Sequence, residues 1–255
     1  MIQCMTHRPR HVRSDDRAEP GGRPAPRRLA ILGAGGHAAV LADCAHRTGR
    51  FHILGCYDDA GQNALERRPI PTASDFLGPI EQAAQDLHNL HDHRLLILGV
   101  GDLAARERIL RRLQPGHDHD HDHTNDDDED GRDERRDRFA TVIDFSAVVS
   151  AYTSIAHGAA VFPRAVVNSR AALGPHAVVN TAAVIEHDVT LARNVHVAPN
   201  ATLCGGVSVG SHTLIGAGAT VIPSVRVGRR CTVAAGAVVV RDVPDGATVR
   251  GCPAR

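Results

Sequence analysis

Tryptophan is absent from the 255 residues, and the only other aromatic rings of Phe and Tyr type number five and two. Large rings dominate the filling of most mixed cores, so a core built from small aliphatic residues is expected instead. The six cysteines (4, 44, 56, 204, 231 and 252) form no CxxC pair and no framework spacing. That excludes a disulfide scaffold and makes reduced thiols in a cytoplasmic protein the expectation. Net charge is also lacking, with 29 Lys and Arg against 29 Asp and Glu. No overall field therefore draws the chain to nucleic acid or to an anionic membrane surface. No apolar run approaches the length of a membrane span. Residues 1–28, rich in Arg, Pro and Gly, lack the apolar segment of a secretory signal and read as a disordered extension.

What the chain does contain is a period. From Ile143 to Val239 every sixth residue is Leu, Ile or Val, seventeen times in succession. Two places before each, from Ala147 to Ala237, stands only Ala, Val, Thr or Cys. Six fits neither the helical period of 3.6 nor the strand period of 2, and a fixed repeat of this kind marks a solenoid. Hexapeptides build parallel β-helices in which each repeat gives one short strand and one corner, with the aliphatic residue inward. Nothing breaks the register, so no loop is expected to leave the coils.

The N-terminal part alternates. Leu29–Leu32 is a short apolar strand ending in Gly33-Ala34-Gly35-Gly36-His37, followed by a helical pattern that stops near Gly49. A second strand, Phe51–Tyr57, ends in Asp58-Asp59, and a third, Leu95–Val100, ends in Gly101-Asp102. Helices are expected over EQAAQDL and from Leu103 to Leu113. Three strands alternating with helices amount to half of a doubly wound nucleotide-binding fold. Residues 114–138 are low in complexity, and His117, His119, His121 and His123 alternate with Asp. Such a tract can bind a transition metal weakly, but a solvated insert between two domains is the simpler reading. The expected organisation is an extension (1–28), a Rossmann-like domain (29–113), the insert (114–138) and a β-helix with a terminal cap (139–255).

The glycine loop alone admits two chemistries. Gly33-Ala34-Gly35-Gly36-His37-Ala38 satisfies G-x-G-x-x-A with acidic residues about twenty positions later, a fingerprint for pyrophosphate at a helix N-terminus. A dehydrogenase and a nucleotide-sugar binder share that pyrophosphate, and glycines that serve only a tight strand-to-helix turn give the same pattern.

The order of parts resembles a known group. A short Rossmann-like domain opening with GAGGH, then a β-helix carrying EHDVTLARNVHVAPNATLCGGVSVG and closing in GCPAR, resembles the sialic-acid and bacillosamine-type sugar O/N-acyltransferases. The resemblance runs from about Leu29 to Arg255 apart from the insert, and its most specific part lies between Ile185 and Gly218. It implies a left-handed β-helix, acetyl-CoA as acyl donor without a metal, a sugar or nucleotide-sugar acceptor, and a homotrimer. It also implies roles for particular residues. His187 would be the general base, suited to this because the ordinary histidine pKa lies near operating pH. Asp188 would orient it or raise its basicity. His196 would contact the thioester region, and Ala217 and Ala235 would bind coenzyme A through their backbone. Gly35, Gly36, His37, Asp58, Asp59 and Gly101 would hold the acceptor. His157, His176 and His212 match nothing in the family and are expected at the surface. A rival of another class is a zinc hydratase of the γ-carbonic-anhydrase type, which needs three convergent His. A non-catalytic sugar-nucleotide binder or assembly scaffold is a further reading.

Overall fold

The structure, a computed structural model, describes residues 25–67, 69–70, 72, 75–88, 93–113 and 138–255. The His/Asp tract and nearly all of the N-terminal extension lie outside these residues.

The N-terminal part is a parallel sheet of four strands, β1 (Arg27–Leu32), β2 (Phe51–Tyr57), β3 (Phe76–Gly78) and β4 (Leu95–Leu98), in the order β3-β2-β1-β4. Three strands were expected; β3 is the addition, and at three residues it is too short to show a hydrophobic period. The helices are α1 (Gly36–Arg47), α2 (Gln62–Arg67), α3 (Ile80–His88) and α4 (Leu103–Leu113). Leu29–Leu32 of β1 and the whole of β4 are continuous buried apolar runs because helices cover both faces of a parallel sheet. That sheet does not stop at β4: Phe139 pairs with Leu96 in parallel, and Ala140 N–H donates to the Leu96 carbonyl at 2.8 Å.

From there the chain enters the coils. All seventeen periodic aliphatics occupy the second residue of successive two-residue strands, β5 (Val142–Ile143) to β21 (Val238–Val239). Each strand from β5 (Val142–Ile143) to Thr220–Val221 pairs in parallel with the one eighteen residues on, as Val178 with His196, and Thr232–Val233 pairs with Thr248–Val249 sixteen residues on. The result is a three-faced, left-handed β-helix. The first face has seven strands, from Val142–Ile143 to Thr248–Val249; the second has six, from Val148–Val149 to Val238–Val239; the third has five, from Ser154–Ile155 to Arg226–Val227. The inward residues and their small partners two places earlier form one apolar core along the axis. Backbone hydrogen bonds between coils replace side-chain bulk as the source of order, which suits a chain so poor in rings.

Every sixth residue from Gly158 to Gly236 has positive φ, at values between 53° and 72°. This is the third residue of each corner turn, which requires a left-handed backbone. Three columns result, one per edge. The first edge, between first and second faces, carries Arg164, Ala182, Asn200, Gly218 and Gly236. The second edge carries Arg170, Asp188, Gly206 and Ser224 below Tyr152, and the third carries Gly158, His176, Asn194, His212 and Arg230. Because many of these residues are Arg, His, Ala or Ser, the sequence shows no turn signal at them.

The sheet domain docks on the first face and its flanking edges. Ala38, Leu41, Ala42 and Ala45 of α1 share a core with Val142, Ala160, Phe162 and Val178. On the opposite side of the sheet, α4 reaches the third edge through Arg106, which is 1% exposed.

Candidate active site

The glycine loop is built as an anion cradle. Gly35 caps α1 without any side-chain hydrogen bond, and no acidic residue lies in the first turn. A Cβ added at Gly35 or Gly36 would meet nothing within 4 Å, so the helix N-terminus opens onto free space. The two acidic residues after β2 do not face that space. Asp58 accepts from Ala34 N–H at 2.7 Å and Ala60 N–H at 2.8 Å, which ties the loop to the end of β2. Asp59 accepts from Ile80 N–H at 3.0 Å and pairs with Arg112. Both carboxylates are thus engaged in holding the sheet domain together.

His37, Gly101 and His196 do come together. The His37 ring lies 4.9 Å from that of Phe162 and 5.8 Å from that of His196. His196 Nδ1–H donates to the Gly101 carbonyl at 3.0 Å, and Nε2 accepts from Asn180 at 3.1 Å. These two bonds fix a neutral ring with its proton on Nδ1. Burial, then the charge of Arg106, hold the His196 pKa down at about 4. The same causes in the same order, with His196 third, bring His37 to about 3. His37 Nε2 is buried with no hydrogen-bond partner. His196 sits in a strand (His196–Val197), facing outward from the first face under Gly101. The expected coenzyme positions, Ala217 and Ala235, are exposed and stack on the neighbouring first edge, where Gly236 N–H donates to the Ala217 carbonyl at 2.9 Å.

His187 and Asp188 stand apart from all of these, on the exposed second edge. His187 Nδ1 lies 2.7 Å from Asp188 Oδ2, so Nδ1–H donates to the carboxylate and Nε2 is left with a free lone pair. The Asp188 carboxyl is held far below the usual carboxylate range, first by a hydrogen bond from Arg170 and then by the one from His187. It therefore stays an ionised acceptor.

Three histidines differ from expectation. His176 is 0% exposed and His212 8% exposed, while His157 is half-buried. Their burial comes from Phe139 and from α4, none of which the hexapeptide pattern reveals: Phe139 packs edge-on against His176 at 4.7 Å, and Arg106 Nη2 donates to the His176 carbonyl at 2.7 Å. No motif singles out Arg106, Arg170, Asn180 or Gly205 in the sequence. Within one chain His187, His196 and His212 lie on the second edge, the first face and the third edge, so they do not converge as a three-histidine zinc site would require. No group of three or more His, Cys, Asp or Glu suited to a metal occurs among the described residues.

Comparison with known proteins gives the same two-part division. The PglD N-terminal domain profile matches residues 28–113, and the profile of the hexapeptide repeat of succinyl-transferase matches 206–241. The acetyltransferase domain of PglB from Neisseria gonorrhoeae, solved with acetyl coenzyme A, is 30% identical with a TM-score of 0.73, over 90% of this chain and 98% of that one. PerB of Caulobacter crescentus, solved with CoA and GDP-perosamine, is 29% identical with a TM-score of 0.71, over 89% and 95%. WeeI from Acinetobacter baumannii, at 19% identity and a TM-score of 0.69, shares the fold. No curated protein matches the sequence.

Proposed function

The chain belongs to the sialic-acid and bacillosamine-type sugar O/N-acyltransferases and moves an acyl group from acetyl-CoA to the amine or hydroxyl of a sugar or nucleotide-sugar; we propose that His187 is its general base and that each site is shared by two chains of a homotrimer. Nε2 of His187 takes the proton from the acceptor as its nitrogen or oxygen attacks the thioester carbonyl. The tetrahedral intermediate collapses with breakage of the C–S bond, and coenzyme A leaves as the thiol, taking the proton from the His187 imidazolium. Asp188 keeps the ring in the tautomer that leaves Nε2 unprotonated and stabilises the imidazolium that forms.

The observation carrying the shared site is the division of the predicted residues between two edges. Gly35, Gly36, His37, Gly101, His196, Ala217 and Ala235 gather along the first face and first edge, while His187 and Asp188 lie on the second edge. The second face separates them, and its outward residues include Val148, Val166, Val184 and Val238. An aliphatic face between two half-sites suits packing of β-helices side by side, so that one chain's base meets its neighbour's acceptor and coenzyme. GDP-perosamine in the PerB complex supports a nucleotide-sugar acceptor, held with its pyrophosphate at the α1 N-terminus. A cytoplasmic location is part of this reading, supported by five described cysteines that are all free.

His187→Ala should lower kcat by about 10²–10⁴ while the oligomer persists; turnover near the wild-type level would refute the base assignment. For the shared site, His187→Ala and Gly36→Asp chains, each inactive alone, should regain turnover when co-expressed. Mixed oligomers that stay inactive would put the whole site within one chain.

A further inference from the structure

Two residues outside the proposed machinery lie against the His187–Asp188 pair. Arg170 occupies the same edge one coil before Asp188. Its Nε donates to Asp188 Oδ1 at 2.6 Å and its Nη2 to Oδ2 at 2.8 Å. Oδ2 also accepts from His187 Nδ1–H at 2.7 Å. A carboxylate on an exposed edge is otherwise free to rotate, whereas a two-pronged guanidinium contact fixes its plane. All three side chains are exposed, and exposed ion pairs add little to stability. Orientation is what the pair supplies.

Gly205 lies beneath the ring in the following coil. A Cβ there would stand 2.5 Å from His187 Cε1 and 2.6 Å from Nε2. The left-handed position of this corner is taken by Gly206, and the backbone of Gly205 is outside that region. Nothing in the local backbone therefore asks for glycine at 205; the space for the imidazole does. The consecutive glycines after Cys204 have separate reasons, one for the turn and one for the ring.

We propose that Arg170 and Gly205 are positioning residues for acyl transfer, Arg170 by locking Asp188 so that His187 holds its proton on Nδ1, and Gly205 by leaving the slot in which Nε2 faces the acceptor. This rests on the reading of His187 as the base.

The test uses full-length Arg170→Met, Arg170→Lys, Gly205→Ala and His187→Ala proteins. Arg170→Met should lower kcat roughly 10- to 100-fold, as loss of an orienting partner does, with KM for acetyl-CoA and acceptor unchanged. Arg170→Lys should recover part of the loss, because it restores the charge and not the fork. Gly205→Ala should lower kcat on the order of 100-fold through displacement of the ring. In ¹⁵N-histidine spectra the signals missing from His187→Ala identify this ring; they should report Nδ1–H in the wild type and a mixture of tautomers in Arg170→Met. Wild-type kcat in Arg170→Met and Gly205→Ala, with His187 nitrogen shifts unmoved, overturns the proposal. If His187→Ala itself turns over normally, the base reading fails and this proposal with it. If His187→Ala is inactive and Arg170→Met is not, only this proposal fails.

Discussion

The second and third edges of the β-helix use the same backbone to opposite ends. At each, a column of left-handed residues stacks one coil above the next, and each column has an arginine making several hydrogen bonds. On the third edge the arginine comes from outside the repeat. Arg106 of α4 donates to Asn194 Oδ1 at 2.8 Å, to the Val100 carbonyl at 2.9 Å and to the His176 carbonyl at 2.7 Å, fully shielded from water. Burial brings its pKa down to about 10, leaving it charged. On the second edge the arginine belongs to the column, is exposed, and meets a carboxylate. One arrangement fastens two domains; the other holds the histidine proposed as the base. The repeat dictates the corner, and what lies against the corner decides its use.

Applying one substitution to both edges separates them most widely. Arg106→Met takes this donor from two buried acceptors and from the half-buried Val100 carbonyl, and at roughly 1–3 kcal/mol for each buried unsatisfied group the loss should be about 2 kcal/mol or more. Denaturant unfolding of the full-length protein measures it, and a loss under about 1 kcal/mol would mean that water replaces the guanidinium. Arg170→Met should stay within about 0.5 kcal/mol of the wild type, its effect falling on kcat.

Acid should act on the buried side. The His196 and His37 pKa values are brought down to about 4 and about 3 from an ordinary 6.5. Below that ordinary value the unfolded chain binds protons that the folded chain refuses. Their contribution is therefore complete above pH 6.5 and is lost as pH falls toward 4 and then 3, at up to about 1.4 kcal/mol per pH unit for each ring. Unfolding free energies measured at pH 7, 6 and 5 should show this slope, and His196→Gln should remove one ring's share of it. A slope unchanged in that variant would exclude His196 as a source.

The smallest expected effect concerns the first edge. Ala182 has φ of 56° and no side-chain group to offset the strain. Ala182→Gly should gain about 0.5 kcal/mol, the difference between the left-handed penalty and the added chain entropy of glycine. A thermal midpoint that falls instead would show that the methyl's packing outweighs its backbone cost.

The coil fold was legible because one constraint repeats: seventeen aliphatics in register leave no other architecture. The N-terminal sheet was legible except for β3, which is too short to carry a pattern. The proposed roles of His187 and Asp188 rest on the family resemblance, since a corner histidine has no periodic mark. His176 and His212 were misread for a physical reason: their burial is imposed by Phe139 and α4, whose contacts with them cross long stretches of sequence. Arg106 shows the same limit from the other side, being an arginine on a helix whose amphipathic pattern gives no sign that a second domain covers it.

The pairing of Phe139 with Leu96 carries a consequence for how such a protein ages in evolution. Side-chain contacts between domains drift as residues are exchanged, and with them the angle at which one domain meets the other. Here part of the seam is main chain, through the hydrogen bond from Ala140 to Leu96. No substitution short of proline deletes a backbone donor. The loop proposed to hold the acceptor can thus be rewritten for a different sugar while this main-chain link between the sheet and the coils is kept.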